Sequence, residues 1–400
     1  MQLRMFFYHL KCMGTKFKRS GLLVVFSLYI HCLAYAQFNT PYYRLDQAKK
    51  AVAAGDTLGG YKALEIAVKL GLSDIQGLAN SKTLSFFIEG DRGYFLRKGI
   101  EDNRIAMTDP ENLVLYTDDI GRFWACFDAL HAPDAEDIFL REYIEKGSMG
   151  LQTFYQVRMN QNISKELARI RLLESYYQSI KTQTLKFESL KPLYIAAAKK
   201  LKSIYPDAIF PPIYFLVGSL NNAGTPDGYT GMLIGAEHFC KYPQANLEAL
   251  SEYDHPMVFD YEQSVPIILH EYIHLQQKNK TEKTLLEMAI AEGAADFVTY
   301  LLLEKYTDPV VYAYGYENED KLWKLFQAQL DSEESDEWLF NSYNPNTGIP
   351  GNMGYFIGFR ICESFYHRAT DKVTAVKQML EIQDFRNFLD ESGYMNASFK

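Results

Sequence analysis

The segment from Pro266 to Gln277 places two histidines one helical turn apart in an otherwise apolar stretch, Pro-Ile-Ile-Leu-His-Glu-Tyr-Ile-His-Leu-Gln-Gln. Ser264 and Pro266 suit the start of a helix. Residues four apart lie on the same helix face, so the imidazoles of His270 and His274 can reach a single metal ion. Burying these polar groups without a partner is costly. The segment therefore predicts a helix with a metal-binding face.

A third metal ligand is needed from another element, because a catalytic zinc ion usually has three protein ligands and one open position. Glu292 stands 18 positions after His274, in Ala-Glu-Gly-Ala-Ala-Asp on a second predicted helix. Asp296 follows one turn later and can hydrogen bond the outer nitrogen of a ligand histidine. Glu287 is the alternative ligand, but no aspartate follows it one turn on. Gly293 and its small neighbours predict close packing of this helix against the first.

These residues resemble the gluzincin class of metallopeptidases, whose pattern is H-E-x-x-H followed on the next helix by E-x-x-x-D. The resemblance implies a zinc-dependent peptidase with one Zn²⁺ per chain, held by His270, His274 and Glu292. It also implies that Glu271 is the general base that activates the zinc-bound water. Asp296 corresponds to the aspartate that orients a ligand histidine.

A wider likeness covers most of the chain after about Asp118. Residues 210–215, 231–237 and 354–358 are similar to segments of uncharacterised bacterial envelope proteins identified as predicted zinc-dependent proteases. The gluzincin motifs themselves cover only residues 266–296, and no substrate comes with either resemblance.

On this resemblance we expect an exported hydrolase that cleaves peptide bonds in a peptide or protein substrate. Endopeptidase activity is favoured over aminopeptidase activity, because residues 231–237 lack the acidic anchor for a substrate amine. The alternative is a non-catalytic envelope protein, with a role in surface assembly or motility, whose zinc site pins two helices together. A structural zinc site normally has four protein ligands and no use for Glu271, which favours the enzyme.

Tyr355 is the candidate for a further catalytic residue. It begins the helix predicted over residues 352–367, where Gly354 and Gly358 permit close backbone approach. Its phenol could donate to the oxyanion of a tetrahedral intermediate, and ordinary packing is the alternative. The downstream side chains that could serve instead are Arg360, Tyr366 and His367.

Residues 231–239 are expected to form the sheet edge that lines the cleft, where a peptide could add as a strand. Ordinary sheet core is the alternative. His238 is a candidate for contact with substrate or a second metal, although a lone histidine beside an exposed Glu237 is typical of a surface position.

The first 36 residues are typical of a secretory signal peptide, with five basic residues, no acidic ones and an apolar run from Gly21 to Leu33. This run is too short to span a bilayer comfortably. We expect cleavage after Ala36. Cys32 follows His31, whereas a lipoprotein signal needs a small residue there, so soluble export to the periplasm or medium is predicted and lipid anchoring at Cys32 is not.

The predicted mature chain is acidic, because the leader holds five of the 41 basic residues and none of the 50 acidic ones, which leaves a net charge of about −14. Such a surface is a poor binder of nucleic acid. Cys126, Cys240 and Cys362 do not suggest a disulfide framework. There is no second long apolar span, so no transmembrane segment is expected after cleavage, and the oligomeric state stays open.

The periodicity predicts an α+β fold that is mainly α. Helices are expected in residues 42–69, with a break at Gly59-Gly60, and in 118–129, 135–146 and 164–202. Strands are expected at 213–217 and 231–235, as a hairpin or neighbouring pair, and helices at 265–278, 284–305, 320–330, 352–367 and 373–381. We predict a signal peptide at 1–36, a helical N-terminal region at 37–195, and a zincin-like metallopeptidase domain at 196–400 with a small mixed sheet and an active-site helix.

Overall fold

The computed structural model describes residues 38–279, 282–341 and 349–394. The predicted signal peptide, its cleavage site and Cys32 lie outside these residues. From Asn39 onward the chain forms one compact unit. Its N-terminal half contains the elements α1 (Pro41–Ala53), α2 (Thr57–Lys69), α3 (Ile75–Asn80), α4 (Tyr94–Ala106), β1 (Leu115–Tyr116), α5 (Asp118–Phe127), α6 (Ala135–Ile138), α7 (Met149–Val157), α8 (Ile163–Leu172), α9 (Glu174–Thr184) and α10 (Lys191–Ile204).

The C-terminal half contains the rest of the sheet and the metal-site helices. Its elements are β2 (Ile213–Leu216), β3 (Gly224–Asp227), β4 (Gly231–Gly235), α11 (Ser264–His274), α12 (Leu285–Leu303), α13 (Pro309–Phe326), α14 (Met353–Arg368), α15 (Lys372–Leu380) and α16 (Phe385–Ser392).

The first two helices separate at Ala54–Asp56 and not at the predicted Gly59-Gly60. Gly59 lies in the first turn of α2, where its N–H donates to the Asp56 carboxylate at 2.8 Å. A Cβ on Gly59 would lie 2.2 Å from that carboxylate. The glycine therefore makes room for the helix cap, and it does not break the helix.

The four strands form one mixed sheet in the order β1-β2-β4-β3. β2 runs parallel to both β1 and β4, with Ile213 opposite Met232, and β3 runs antiparallel to β4. The two predicted strands are confirmed as neighbours. The prediction that residues 231–239 form the sheet edge is wrong, because β4 is internal and fully buried. The edge strand beside β4 is β3, whose Gly-Thr-Pro-Asp sequence carries no strand signal but whose proline is tolerated at an edge.

The C-terminal helices pack around α12 and α14, which approach each other more closely than ordinary side chains allow. A Cβ on Gly293 would lie 2.0 Å from the carbonyl carbon of Gly358, and a Cβ on Gly358 would lie 1.7 Å from the carbonyl oxygen of Ala289. The close approach expected at Gly358 is confirmed. For Gly293 the predicted partner is wrong, because this glycine faces α14 and not the histidine helix.

The prediction of an α+β, mainly α fold with a small mixed sheet is confirmed. The zincin-like assignment and the domain boundaries stay predictions, although β1 from the N-terminal region joins the sheet. Cys126, Cys240 and Cys362 are buried free thiols, so no disulfide joins the described residues. No helix in the described ranges is both long and apolar enough to cross a membrane.

Candidate metal site

α11 presents His270 and His274 one turn apart, as predicted, with their ring centroids 4.7 Å apart. The helix ends at His274, four residues before its predicted end. Ser264 is its first residue and not its cap. Most apolar side chains of α11 are buried, so the helix is anchored by hydrophobic packing and can hold the two imidazoles in fixed positions.

Three potential ligand atoms converge between α11 and α12. The Nε2 atom of His270 lies 3.1 Å from the Nε2 atom of His274 and 3.1 Å from Oε2 of Glu292. The third side of the triangle, from His274 Nε2 to Glu292 Oε2, is 3.3 Å. Zinc holds nitrogen ligands at about 2.0–2.1 Å, which puts neighbouring atoms of a tetrahedral set roughly 3.3 Å apart. The three side chains therefore have the spacing that a tetrahedral metal ion requires.

Asp296 fixes the proton on His270. Its Oδ1 atom lies 2.7 Å from Nδ1 of His270 and accepts a second bond from the Thr307 hydroxyl at 2.8 Å. Its Oδ2 atom accepts from the Tyr312 hydroxyl at 2.5 Å. A carboxylate with three donors around it is an acceptor, so Nδ1 of His270 carries the hydrogen. Asp296 thus contacts the outer nitrogen of a candidate ligand histidine, as the sequence predicted.

Gln277 performs the same task for His274, and the sequence reasoning missed it. Its Oε1 atom lies 2.7 Å from Nδ1 of His274, while its Nε2 atom donates to the carbonyl of Ala291 at 2.7 Å. The second bond fixes the orientation of the amide, so Nδ1 of His274 is the donor. A glutamine three residues after the second histidine was the available signal.

The inner atoms of the cluster are therefore acceptors that face one another. Two imidazole lone pairs and a carboxylate oxygen repel at these distances unless a cation or a proton lies between them. Burial lowers the pKa of His270 and His274, but the nearby carboxylates outweigh it and raise both pKa values. Burial raises the pKa of Glu292, and the two histidines more than reverse that shift. The cluster therefore favours a positive charge between its three inner atoms, carried either by protons or by a metal ion.

A pocket of about 240 Å³ opens beside the cluster, lined by His270, Glu271, Asp296 and Tyr355 among others. The Tyr355 ring lies 5.9 Å from the His270 ring, centroid to centroid. Burial, followed by the charges of Glu292, Asp296 and Glu271, raises the pKa of the Tyr355 phenol far above its ordinary value, so it stays protonated. Both residues predicted to be catalytic, Glu271 and Tyr355, thus lie at the pocket.

The competing ligand Glu287 is engaged elsewhere. Its carboxylate accepts from the backbone N–H groups of Lys283 and Thr284 at the start of α12, in a capping box. Glu292 is the glutamate of this helix that the structure brings to the histidines.

The other candidate side chains are not among the described residues that cluster as metal ligands. His238 is fully buried, with Nδ1 at 2.8 Å from the carbonyl of Met257, and Glu237 beside it is also buried, so the expected surface position is wrong. Arg360 pairs with Glu319 at 2.6 Å and with Glu363. Tyr366 packs against Phe297, and the His367 side chain is exposed.

Comparison with known proteins points away from hydrolysis. The model of a family described as "Gliding motility protein GldB" matches residues 120–396. No curated protein and no solved structure matches the chain.

The family match overturns the gluzincin assignment and, with it, the expected peptidase and hydrolase activity. The reason is physical, since the H-E-x-x-H and E-x-x-x-D spacings specify where metal ligands stand and do not specify a reaction. The roles predicted for Glu271 and Tyr355 in hydrolysis lose their basis. The family is one of lipoproteins, which places the chain in the cell envelope and does not support the expectation that lipid anchoring is unlikely. Because the match covers well over half of its 400 residues, the chain belongs to the gliding motility protein GldB family.

Proposed function

We propose that this chain is a non-catalytic component of the gliding machinery in the cell envelope, in which a bound zinc ion ties α11 to α12. The observation that carries the zinc site is the triangle of inner acceptor atoms on His270, His274 and Glu292, whose sides are 3.1, 3.1 and 3.3 Å. Two imidazoles and one carboxylate form a ligand set that suits zinc. The role in gliding rests on the family match.

The zinc site would contribute to stability as well as to geometry. A ligand that binds only the folded chain stabilises it by mass action, by about 2.7 kcal/mol when its free concentration is 100 times the dissociation constant. Asp296 also accepts hydrogen bonds from Thr307 and Tyr312, and these bonds link the site to α13. Zinc would thus hold three helices in one arrangement.

Metal content and thermal unfolding of the purified chain test the zinc site. We expect one zinc ion per chain in the wild type and a lower melting temperature when a chelator is added. Glu292→Ala should lose the metal and the chelator response together. Glu262→Ala, which changes an exposed glutamate just before α11, should keep both. A wild-type chain without zinc after zinc loading and dialysis would contradict the proposal.

The role in gliding is tested in a gliding strain that carries this gene. Deletion should abolish colony spreading, and a plasmid copy of the wild type or of Glu262→Ala should restore it. The Glu292→Ala copy should restore spreading poorly at equal protein level, because the helix arrangement around the site is weakened. Normal spreading in the deletion strain would contradict the proposed role.

We place the membrane attachment at Cys32. Cys126, Cys240 and Cys362 are buried in the fold, and Cys12 precedes the apolar run, whereas Cys32 stands near its end. Cleavage would then occur before Cys32, and not after Ala36. Incorporation of labelled palmitate into the wild type, its loss in Cys32→Ser and release of that variant from the membrane fraction are the expected results; unchanged labelling of Cys32→Ser would exclude this site.

A further inference from the structure

The pocket beside the metal cluster contains a carboxylate without a partner. The carboxylate of Glu271 lines this pocket and makes no hydrogen bond or ion pair with any residue in the described ranges. Its neighbours differ, because Asp296 and Glu292 are bonded to the histidines and Asp308 accepts from the N–H groups at the start of α13. Among the described carboxylates at the pocket, that of Glu271 is thus the one available to bind a ligand.

The charge of the pocket selects the kind of ligand. No lysine or arginine is among the lining residues that the structure describes. The two positive charges of a zinc ion would be balanced by Glu292 and Asp296, which leaves the charges of Glu271 and Asp308 uncompensated. An anion would be repelled, whereas a cation beside Glu271 would gain a charge-assisted hydrogen bond.

Two exposed apolar side chains belong to residues that adjoin the pocket lining, one by ring contact and one in the chain. Phe340 is 66% exposed, has a left-handed backbone with φ +57°, and its ring centroid lies 6.1 Å from that of Tyr355. Val310 is 69% exposed and precedes Val311, which lines the pocket. A bulky residue held in the left-handed region is strained, and such strain is concentrated at functional sites. Exposed apolar side chains beside a pocket are typical of surfaces that bind another polypeptide.

We propose that this pocket receives a primary amine of a partner polypeptide, either a lysine side chain or an amino terminus. The amine pairs with Glu271, while apolar side chains of the partner next to the amine contact Phe340 and Val310. The volume of about 240 Å³ suits one residue and falls below the range of about 300–1,000 Å³ typical of small-molecule sites. The proposal rests on the proposed function, because a non-catalytic zinc protein of the envelope needs a partner to act on.

Calorimetric titration of the zinc-loaded mature chain with matched peptides tests the proposal. The peptides are acetyl-Leu-Ala-Lys-Ala-Leu-amide, the same peptide with norleucine for lysine, and the norleucine peptide with a free amino terminus. At least one amine-bearing peptide should bind about tenfold more tightly than the acetylated norleucine peptide. The lysine and free-terminus peptides distinguish the two sources of the amine.

Glu271→Gln should remove this difference and keep the zinc, whereas Glu248→Gln, at an exposed glutamate outside the pocket, should leave the difference unchanged. Equal binding of all three peptides, or no binding of any, overturns the proposal. A difference that survives Glu271→Gln also overturns it. Zinc content is measured on the same samples, so failure of the metal site is recognised separately from failure of the amine site.

Discussion

At the scale of single residues, the two ligand histidines are oriented by acceptors of different charge. His270 donates to the Asp296 carboxylate and His274 to the neutral amide of Gln277, each at 2.7 Å. Such outer partners raise the basicity of the ligand and hold its ring in place. Each should therefore affect zinc affinity without touching the ion.

Gln277→Leu should weaken zinc binding by about 10–100-fold, because the His274 ring loses its partner and the segment that follows α11 loses its bond to the Ala291 carbonyl of α12. Competition with a chelating dye measures the affinity. Gln276→Leu is not a suitable control, since Gln276 bonds the backbone of Ile209, but Gln178→Leu, on the exposed face of α9, is. An unchanged affinity in Gln277→Leu would show that the helix alone orients His274.

The buried pair Glu237 and His238 is a second residue-scale feature, and the sequence expectation of an exposed glutamate failed there. Oε1 of Glu237 accepts from the backbone N–H groups of Gly218 and Leu220 at 3.0 and 3.2 Å. These bonds come from a loop about 20 positions away, so nothing next to Glu237 in the chain announces them. Burial, strengthened by the charge of Glu166, raises the pKa of Glu237 to about 7, and burial lowers the pKa of His238 to about 4.

The two residues should affect stability in opposite directions with pH. The Glu237 carboxyl binds its proton more tightly in the folded chain than its ordinary pKa of 4.5 implies, so its contribution to stability falls as pH rises from about 4.5 to about 7. The His238 imidazole resists protonation when folded, so its contribution falls as pH drops from about 6.5 to about 4. Between pH 4.5 and 6.5 the two slopes oppose each other.

Glu237→Gln keeps an oxygen for the two N–H groups and removes the titration. Its free energy of unfolding relative to the wild type should therefore increase between pH 4.5 and 7, by at most ~1.4 kcal/mol per pH unit, and level off above that range. Urea unfolding across this pH range measures the difference. A difference that is constant with pH would mean that Glu237 titrates alike in the folded and unfolded chains.

At the scale of elements, the contact between α12 and α14 depends on two glycines. Gly358→Ala would place a Cβ 1.7 Å from the Ala289 carbonyl oxygen, so the helices must separate. We expect a loss of roughly 1–3 kcal/mol in the free energy of unfolding. Gly121→Ala is the matched control, since this glycine of α5 has open space around it and alanine favours a helix by about 0.5–1 kcal/mol. Equal effects of the two substitutions would contradict the tight contact.

The sequence predicted the helices and strands better than it predicted which of them pack or pair with one another. Apolar periodicity located α11, α12, β2 and β4, because burial on one face or both leaves a local pattern. The edge strand β3 and the pairing of Gly293 with Gly358 left no such pattern, since both are set by residues distant in the chain. For the site, spacing predicted which side chains meet, and Gln277 was missed because its role depends on a bond to α12.

At the scale of the whole molecule, the sequence predicted the candidate metal ligands but predicted the wrong function, and the two outcomes have one cause. Three ligand residues at fixed spacing on two helices determine where a metal ion can bind, and the chain needs only its own fold to arrange them. What the ion then does depends on the partner or substrate that reaches the pocket, which local spacing does not encode. The match to a motility family over residues 120–396 is what points to gliding motility and away from peptide hydrolysis.

The whole chain should unfold as one cooperative unit despite its two predicted regions. Buried tyrosines on the N-terminal helices donate to the backbone that follows β2 and β4, from Tyr143 to Val217 at 2.7 Å, from Tyr177 to Gly218 at 2.8 Å and from Tyr176 to Glu237 at 2.6 Å. If the regions before and after residue 195 are produced as separate fragments, these buried groups lose their partners, which is costly.

Calorimetry of the zinc-loaded mature chain should therefore give one transition, with equal calorimetric and van't Hoff enthalpies. Removal of zinc should move that whole transition to lower temperature, because the metal stabilises the only folded state. Fragments 37–195 and 196–400 should each lack a cooperative transition when expressed alone. Two separate transitions, of which zinc shifts one, would instead mean that the tyrosine contacts join two regions that fold independently, and that zinc acts on the C-terminal region alone.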